Sequence, residues 1–505
     1  MESSKEKILL RTVNWIGDAV MTLPTIETIK KGFKDCSMTI LCKPSIGEVY
    51  KGSPFIDKII EYSARDRRLL GKIPLSLRLR KENFTSAFLL QNAFDSALIA
   101  FMAGIPKRIG YDRDSRGWML TSKVPYNMED RKIHHIDYFL NIPAFEGLKI
   151  QSKSPWIYLS FDERIRARER LKGLKRPFLG ISAGAAFGET KRWRHERFAE
   201  VADWFIKKTS GSVILFSDDP LDRTVYEIDK SLTSNKLSLA GKTTVRELIA
   251  LISECDVFLT NDSGPMHLAR AVMTPTVSIF ASTSPYLTGY FDKGFCTITS
   301  KVNCSPCFKR VCPRGDLKCI NSVTSDEVFF ELSSLIPNKK AVFFDRDGTL
   351  CDDANYLCRW DDFKLFKNIS ELQRLKDKGF LLIGISNQSG IARGIVKEDF
   401  VKEVHQLFMN KYGFDDFYYC PHHPDEHCQC RKPEPGMLLS ARAKYNIDLK
   451  NSFLVGDKES DILTAQSVGV KGIFLSNLET VPIPDTLVAK NLKEVVDLIL
   501  INSNG

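Results

Sequence analysis

The sequence predicts an α/β chain of doubly wound, parallel-sheet units. Three observations lead there. Short apolar runs alternate with helical stretches along all 505 residues, and β–α alternation builds parallel sheets with helices on both faces. The length exceeds what one core uses, at roughly 100–200 residues per domain. Polar clusters also recur immediately after the apolar runs, at the strand ends where open α/β sheets carry their sites.

Composition sets outer bounds. Hydrophobic content of 43% and charged content of 27% suit a soluble globular chain. The net charge, 72 − 62 = +10, favours an anionic partner: a phosphorylated sugar, a nucleic acid or an anionic membrane surface. The charge is diffuse and no recognition motif is evident, so nucleic acid is disfavoured. No apolar run reaches spanning length. The opening "MESSKEKILLRTVNW" has no signal-peptide core, so a cytoplasmic location is expected. There, thirteen cysteines are expected to bind metal or stay free.

The elements follow in order. "KILLRTV", "MTILCK" and "SAFLLQ" read as buried strands, and "AVMTLPTIETIKKGF" as an amphipathic helix. In "NWIGDAV", Gly17 permits close approach and Asp18 sits where a helix begins; on spacing alone Asp18 is a cap or dipole partner. The charged "SFDERIRARERLKGLKRP" is expected to separate this unit from a second. That unit has strands "FLGISAG", "SVILFS", "VFLTND" and "TVSIFA", with helices "HERFAEVADWFIKKT" and "TVRELIALISEC". After its first strand, "GAAFGETKRW" joins a small-residue loop to Lys191 and Arg192, suiting phosphate oxygens. "TNDSGPMHLA" places Asp262, Ser263 and Gly264 at a strand end opening a helix, with His267 one turn in, where a satisfied core role is equally open. Arg108, Arg113 and Arg116 form a basic loop. Cys304, Cys307, Cys312 and Cys319 have spacing compatible with a metal but stay unassigned.

A third unit opens after "SLIPNKK". "AVFFDRDGTL" places Asp345 and Asp347 beyond a buried strand, where one carboxylate can attack phosphorus and the other handle a proton. "GISNQSG" supplies Ser386 and Asn387, "CRKP" Arg431 and Lys432, and "FLVGDKESD" Asp457, with Asp461 one turn on. Asp345, the Asp347 carbonyl and Asp457 suit Mg²⁺. In "YYCPHHPDEHCQCRKP", Cys420/His422 and Cys428/Cys430 have the i, i+2 spacing that turns two side chains the same way in extended backbone. Four such ligands suit a closed tetrahedral Zn²⁺ site. Free thiols or a disulfide are the alternatives.

"DRDGTL", "SNQSGIARG", "CQCRKPEPGMLLSA" and "VGDKESD" resemble the haloacid dehalogenase phosphatase superfamily and, within it, the heptose-1,7-bisphosphate 7-phosphatases. Histidinol phosphatases share much of the frame. The resemblance implies Asp345 as nucleophile, Asp347 as acid and base, and Ser386 and Lys432 on the phosphoryl group. Arg431, Lys458, Asn387 and Gln388 are implied near substrate, and Cys420, His422, Cys428 and Cys430 on structural zinc. "NWIGDAVMTLP", "GAAFGETKRW", "TNDSGPMHLA" and "CSPCFKRVCP" resemble glycosyltransferase family 9, the ADP-heptose:lipopolysaccharide heptosyltransferases. That implies a GT-B fold, two Rossmann-like domains, followed by a haloacid dehalogenase-like Rossmannoid domain. Asp18 is then implied as the base of an inverting, metal-free transfer. Lys191 is implied on the leaving diphosphate, with Asp262, Ser263, Gly264 and His267 on ADP-heptose. Expected domains are 1–165 for the acceptor, 176–335 for ADP-heptose and 338–505 for the phosphatase. The combined expectation is a bifunctional enzyme of lipopolysaccharide inner-core synthesis acting on a lipid A-core acceptor, with peripheral contact at the inner membrane. The alternative is a related sugar transferase joined to a histidinol-phosphatase-like enzyme.

Overall fold

A computed structural model describes residues 6–503 except 34, 64, 65, 67–70, 477–482 and 485. The first five residues of the opening stretch therefore lie outside the described residues. The chain divides into two units, Met1–Ser333 and Ser334–Gly505.

The first unit holds two six-stranded sheets. One consists of β1 (Lys7–Arg11), β2 (Ser37–Cys42), β3 (Lys58–Glu61), β4 (Ser86–Leu89), β5 (Lys107–Tyr111) and β6 (Ser122–Val124), in the order β3–β2–β1–β4–β5–β6. The other consists of β7 (Phe178–Ser182), β8 (Ser212–Leu215), β9 (Lys236–Ser238), β10 (Val257–Asn261), β11 (Thr276–Phe280) and β12 (Phe295–Thr299), in the order β12–β11–β10–β7–β8–β9. Every residue of the central β7 and β10 is buried, as strands covered on both faces require.

Two expectations for this unit change. The stretch 19–33 is not one helix. It forms the end of Ile16–Met21 and then Leu23–Gly32, meeting at Thr22. Pro24 lies in the first turn of the second helix, where its missing N–H costs nothing; inside a single helix it would break the ladder. The charged segment expected to separate the two halves instead contains a docked helix, Phe161–Arg170. A Ser160–Glu163 capping box opens it. It packs on the helix Val245–Glu254, and its Glu163 and Arg168 pair with Arg246 (2.5 Å) and Glu254 (3.0 Å). Position 165 therefore falls within a helix docked on Val245–Glu254.

The second unit holds one parallel sheet: β13 (Ala341–Phe344), β14 (Leu381–Asn387), β15 (Asp416–Cys420), β16 (Phe453–Gly456), β17 (Lys471–Leu475) and β18 (Leu487–Ala489), in the order β15–β14–β13–β16–β17–β18. Chain direction out from β13 reverses between its neighbours β14 and β16, so the three adjacent strand ends form the crevice where such sheets bind ligands.

Candidate active sites

Asp345 follows β13, Ser386 is the penultimate residue of β14 and Asp457 follows β16. The Asp345 amide donates to the Val455 carbonyl (2.9 Å), fixing the turn to β16. Gly348 has φ +82°, and a Cβ there would lie 2.2 Å from the Asp457 carboxylate. Glycine thus permits both the left-handed turn and the close approach of the "DRDG" loop. Carboxylate oxygens of Asp345, Asp457 and Asp461 converge within 4.8 Å of one another. Lys432 is buried against two of them, its Nζ 2.9 Å from Asp345 and 2.6 Å from Asp461, and it donates to the Ile385 carbonyl (3.2 Å).

The electrostatics follow from burial. Burial alone would push Lys432 down, but the Asp345 and Asp461 carboxylates outweigh it and hold the ammonium above the ordinary lysine range. Burial, then the Asp345 charge, pushes Asp457 up. Its Oδ1 is buried and makes no hydrogen bond. A crowded carboxylate with an orphaned oxygen, beside a second carboxylate, fits a small hard cation. Asp347 lies across the crevice. Its two oxygens take a fork from the fully buried Arg346 (2.9 and 2.8 Å), and Gln388 Nε2 donates to one of them (2.8 Å). The same Gln388 nitrogen donates to Ser386 Oγ (2.7 Å).

The loop after β15 brings Cys420, His422, Cys428 and Cys430 together, with ligand atoms within 4.8 Å of one another. Neighbouring separations are 3.3 Å for Cys420–Cys428, 3.5 Å for Cys428–Cys430, and 3.2 Å for His422 Nδ1–Cys430. Zn–S bonds of about 2.3 Å give tetrahedral edges of about 3.8 Å, so the set is nearly closed around a zinc-sized centre. His423 caps the short turn Pro424–Glu426 and His427 ends it in left-handed backbone; neither joins the set. Two residues beyond Cys430, Lys432 is locked from the strand side. Asn387 accepts from its amide (3.0 Å) and donates to its carbonyl (3.2 Å).

In the first unit, the helix Ile16–Met21 packs on the helix Gly264–Ala271. A Cβ on Gly17 would lie 2.7 Å from the His267 ring, and one on Gly264 would lie 3.3 Å from Ile16. Asp18 is in the first turn, with the His135 ring 3.8 Å away. It edges a cavity of about 420 Å³ that Asn14, Asn92, Arg113, Arg131 and His135 also line. Across the helix contact, Lys191 Nζ pairs with the buried Asp262 (2.5 Å) and lies over the Phe187 ring. His267 Nδ1 meets the Tyr290 hydroxyl (2.9 Å), and burial pushes this histidine down to about 4.

Known proteins match both units. Residues 74–318 match glycosyltransferase family 9 (heptosyltransferase), and residues 429–495 match the HAD-hydrolase-like family. The lipooligosaccharide heptosyltransferase 2 of Campylobacter jejuni (strain NCTC 11168) is 29% identical over 343 residues, 66% of this chain and 99% of that protein. The D-glycero-beta-D-manno-heptose-1,7-bisphosphate 7-phosphatase of Helicobacter pylori (strain J99) is 38% identical over 173 residues, 33% of this chain and 99% of the relative. The second unit belongs to the family of these phosphatases, and the first matches the family 9 heptosyltransferases. The chain is a bifunctional enzyme, a family 9 glycosyltransferase joined to a haloacid dehalogenase-type phosphatase. The solved E. coli ADP-heptose LPS heptosyltransferase II shares the fold of the transferase unit, with 24% identity and a TM-score of 0.57 over 65% of this chain and 98% of that one.

In the phosphatase unit, the structure gathers Asp345, Ser386, Lys432 and Asp457 in one crevice. Asp461 belongs there too; its place one helical turn beyond Asp457 was the signal. Arg346, between the two motif aspartates, is equally central, although an arginine there gave no hint of being fully buried. Arg431 Nη1 is buried without a hydrogen bond, whereas Lys458 pairs with Asp353 (2.9 Å). Asn387 and Gln388 spend their amides inside the protein as described. In the transferase unit, Asp262 and Lys191 meet each other, and Ser263 Oγ lies 3.2 Å from Thr260. Of the basic loop, Arg113 alone reaches the cavity. Arg116 is fully buried on carbonyls of Tyr111 and Leu89, and Arg108 bonds the Met119 carbonyl. Arg131 and His135 were missed, because a helix start and a polar turn carry no motif. Among the described residues, Cys304, Cys307, Cys312 and Cys319 do not converge as a ligand set. Their loop instead packs on the small-residue loop: Thr190 donates to the Lys309 carbonyl (2.6 Å), and a Cβ on Gly188 would lie 2.4 Å from the Arg310 carbonyl.

Proposed function

We propose that the phosphatase unit removes the 7-phosphate of D-glycero-D-manno-heptose 1,7-bisphosphate. We propose further that the transferase unit moves heptose from ADP-heptose to a lipid A-core acceptor in the cytoplasm. The observation that carries the hydrolytic half is the set Asp345–Lys432–Asp457, with Asp345 and Lys432 buried and the buried Asp457 Oδ1 unpartnered. In this reading Asp345 attacks phosphorus and becomes an aspartyl phosphate. Asp347 protonates the departing sugar oxygen and then takes the proton of the attacking water. Lys432 and Ser386 meet the phosphoryl oxygens as charge builds on them, and the unpaired Arg431 nitrogen offers a further donor. Asp345, the Asp347 carbonyl and Asp457 would hold Mg²⁺, which neutralises phosphoryl charge when bound. Cys420, His422, Cys428 and Cys430 would hold a structural Zn²⁺ that shapes the loop presenting Arg431 and Lys432.

In the transferase, Asp18 removes the acceptor proton at the cavity edge, and the attack inverts the anomeric carbon. Lys191 pairs with the leaving diphosphate, so it must exchange Asp262 for the donor. Asp262, Ser263, Gly264 and His267 line the donor side. The cavity's Arg113 and Arg131 suit anionic groups on the acceptor.

The test separates the two activities in one chain. Asp345→Asn is expected to abolish phosphate release from heptose bisphosphate and leave heptose transfer intact; Asp18→Asn is expected to do the reverse, read by mass spectrometry. A clear preference for histidinol phosphate over heptose bisphosphate would overturn the substrate assignment.

A further inference from the structure

We propose that an apolar, cation-rimmed face of the first sheet's domain docks on an anionic lipid bilayer. The inference deepens the reading above, since it rests on the acceptor being lipid-linked.

The face is made by two helices and a loop. The helix Lys72–Arg80 points Ile73 and Leu77, one turn apart, into solvent. The helix Phe94–Met102 does the same with Phe94 and Phe101, two turns apart on one stripe. The helices are tied by Ser76 Oγ donating to the Ile99 carbonyl (3.2 Å) and Arg80 donating to the Met102 carbonyl (2.8 Å). Trp118, 63% exposed, completes the surface. Its ring centroid is 5.5 Å from Phe101 and 6.5 Å from Phe94. Two exposed phenylalanine rings gathered on one exposed tryptophan are not scattered exposure; such patches mark interaction sites.

Charge and position select the partner. The Arg108 guanidinium lies 5.4 Å over the Phe101 ring, and Arg78, Arg80, Lys81 and Lys107 are exposed around the face. The single acidic residue of the aromatic helix, Asp95, is turned toward Lys72 (3.9 Å). Aromatic rings with flanking Arg and Lys match the headgroup layer of an anionic leaflet. The aromatic part of the patch is carried by the same chain segments that line the cavity beside Asp18. Phe94 follows the cavity residues Gln91 and Asn92, and Trp118 follows Arg113. The buried Arg116 binds these segments together by donating to the Gln91 carbonyl and to Asn92 Oδ1. Docking this face would bring the cavity mouth to the membrane surface, where a lipid-linked acceptor presents its sugars.

The experiment is vesicle flotation of the full chain. Binding is expected to phosphatidylcholine vesicles containing phosphatidylglycerol, weakening with salt, and not to phosphatidylcholine alone. The triple variant Phe94→Ser/Phe101→Ser/Trp118→Ser is expected to lose about tenfold or more in vesicle affinity, as removal of buried apolar area predicts, with phosphate release from heptose bisphosphate unchanged. Should that variant fail to fold, the surface variant Arg78→Glu/Lys81→Glu is expected to show the same loss. Failure of the unmodified chain to bind anionic vesicles would overturn the proposal, as would undiminished binding by a folded variant. A dimer that the triple variant converts to monomer would assign the face to a second copy instead. Vesicle binding needs no turnover, so its presence without heptose transfer would count against the acceptor reading alone.

Discussion

Lys432 shows how a single buried side chain sets a site's chemistry. Its ammonium lies between Asp345 and Asp461, and the Ile385 carbonyl takes a further hydrogen bond. Lys432→Met leaves two buried carboxylates without their counter-charge. Breaking a buried pair in this way costs about 3–5 kcal/mol, so we expect lost phosphate release together with a lowered urea midpoint for this unit. His405 offers a cleaner titration. It stacks on Phe417 at 4.6 Å, and its Nε2 is buried without a hydrogen bond. Burial, then the charge of Arg346, pushes it from 6.5 down to about 3. A histidine depressed in the folded state leaves stability complete above its unfolded value and loses it as pH falls toward the folded one. Urea midpoints of the second unit should therefore drop as pH falls below about 6.5, and His405→Phe should flatten that slope while keeping the stack. At this scale, residues with a motif after a strand were legible. Arg346 and His405 were not, because their burial depends on elements that pack over them in the fold, which no local pattern reveals.

The element that most changes the meaning of its residues is the loop from Cys420 to Lys432. Its alternating spacing was readable because i and i+2 share a face in extended chain. What it does was not readable, since that depends on Asn387 gripping the Lys432 backbone from the neighbouring strand. If zinc closes the loop, Cys428→Ser should lower zinc content and raise KM for heptose bisphosphate, with a smaller change in kcat; metal analysis and steady-state kinetics check this. Magnesium removal should instead stop turnover in a protein whose melting is little altered. Gly348→Ala should also stop turnover, because it strains a left-handed turn and drives a methyl into Asp457. The central strands were legible, as buried parallel strands are nearly continuous apolar sequences; edge strands such as Lys58–Glu61 and Lys236–Ser238, short and only partly buried, were not. The helix Phe161–Arg170 was hidden by its charge, yet its signal was present: "SFDE" carries the Ser-x-x-Glu capping box.

At the scale of the molecule, three successive α/β units were legible from β–α alternation and the phosphoryl-transfer chemistry from clusters at strand ends, whereas the heptosyl transfer was legible only through the family resemblance. Which helices bridge the halves of the transferase was not, because that packing is set by surface shape rather than by periodicity. The division at Ser333–Ser334 makes a direct prediction. Residues 334–505 produced alone should release phosphate with kinetics within about twofold of the full chain, as independent units do; an assay of the two proteins side by side checks it. One contact in the transferase has a mechanical consequence. Gly17 faces the His267 ring at a distance that leaves no room for a methyl, and Tyr290 keeps that ring from stepping aside. A single carbon atom at Gly17 is a doorstop: it would prop the two halves ajar, jam the transferase and leave the hydrolase running.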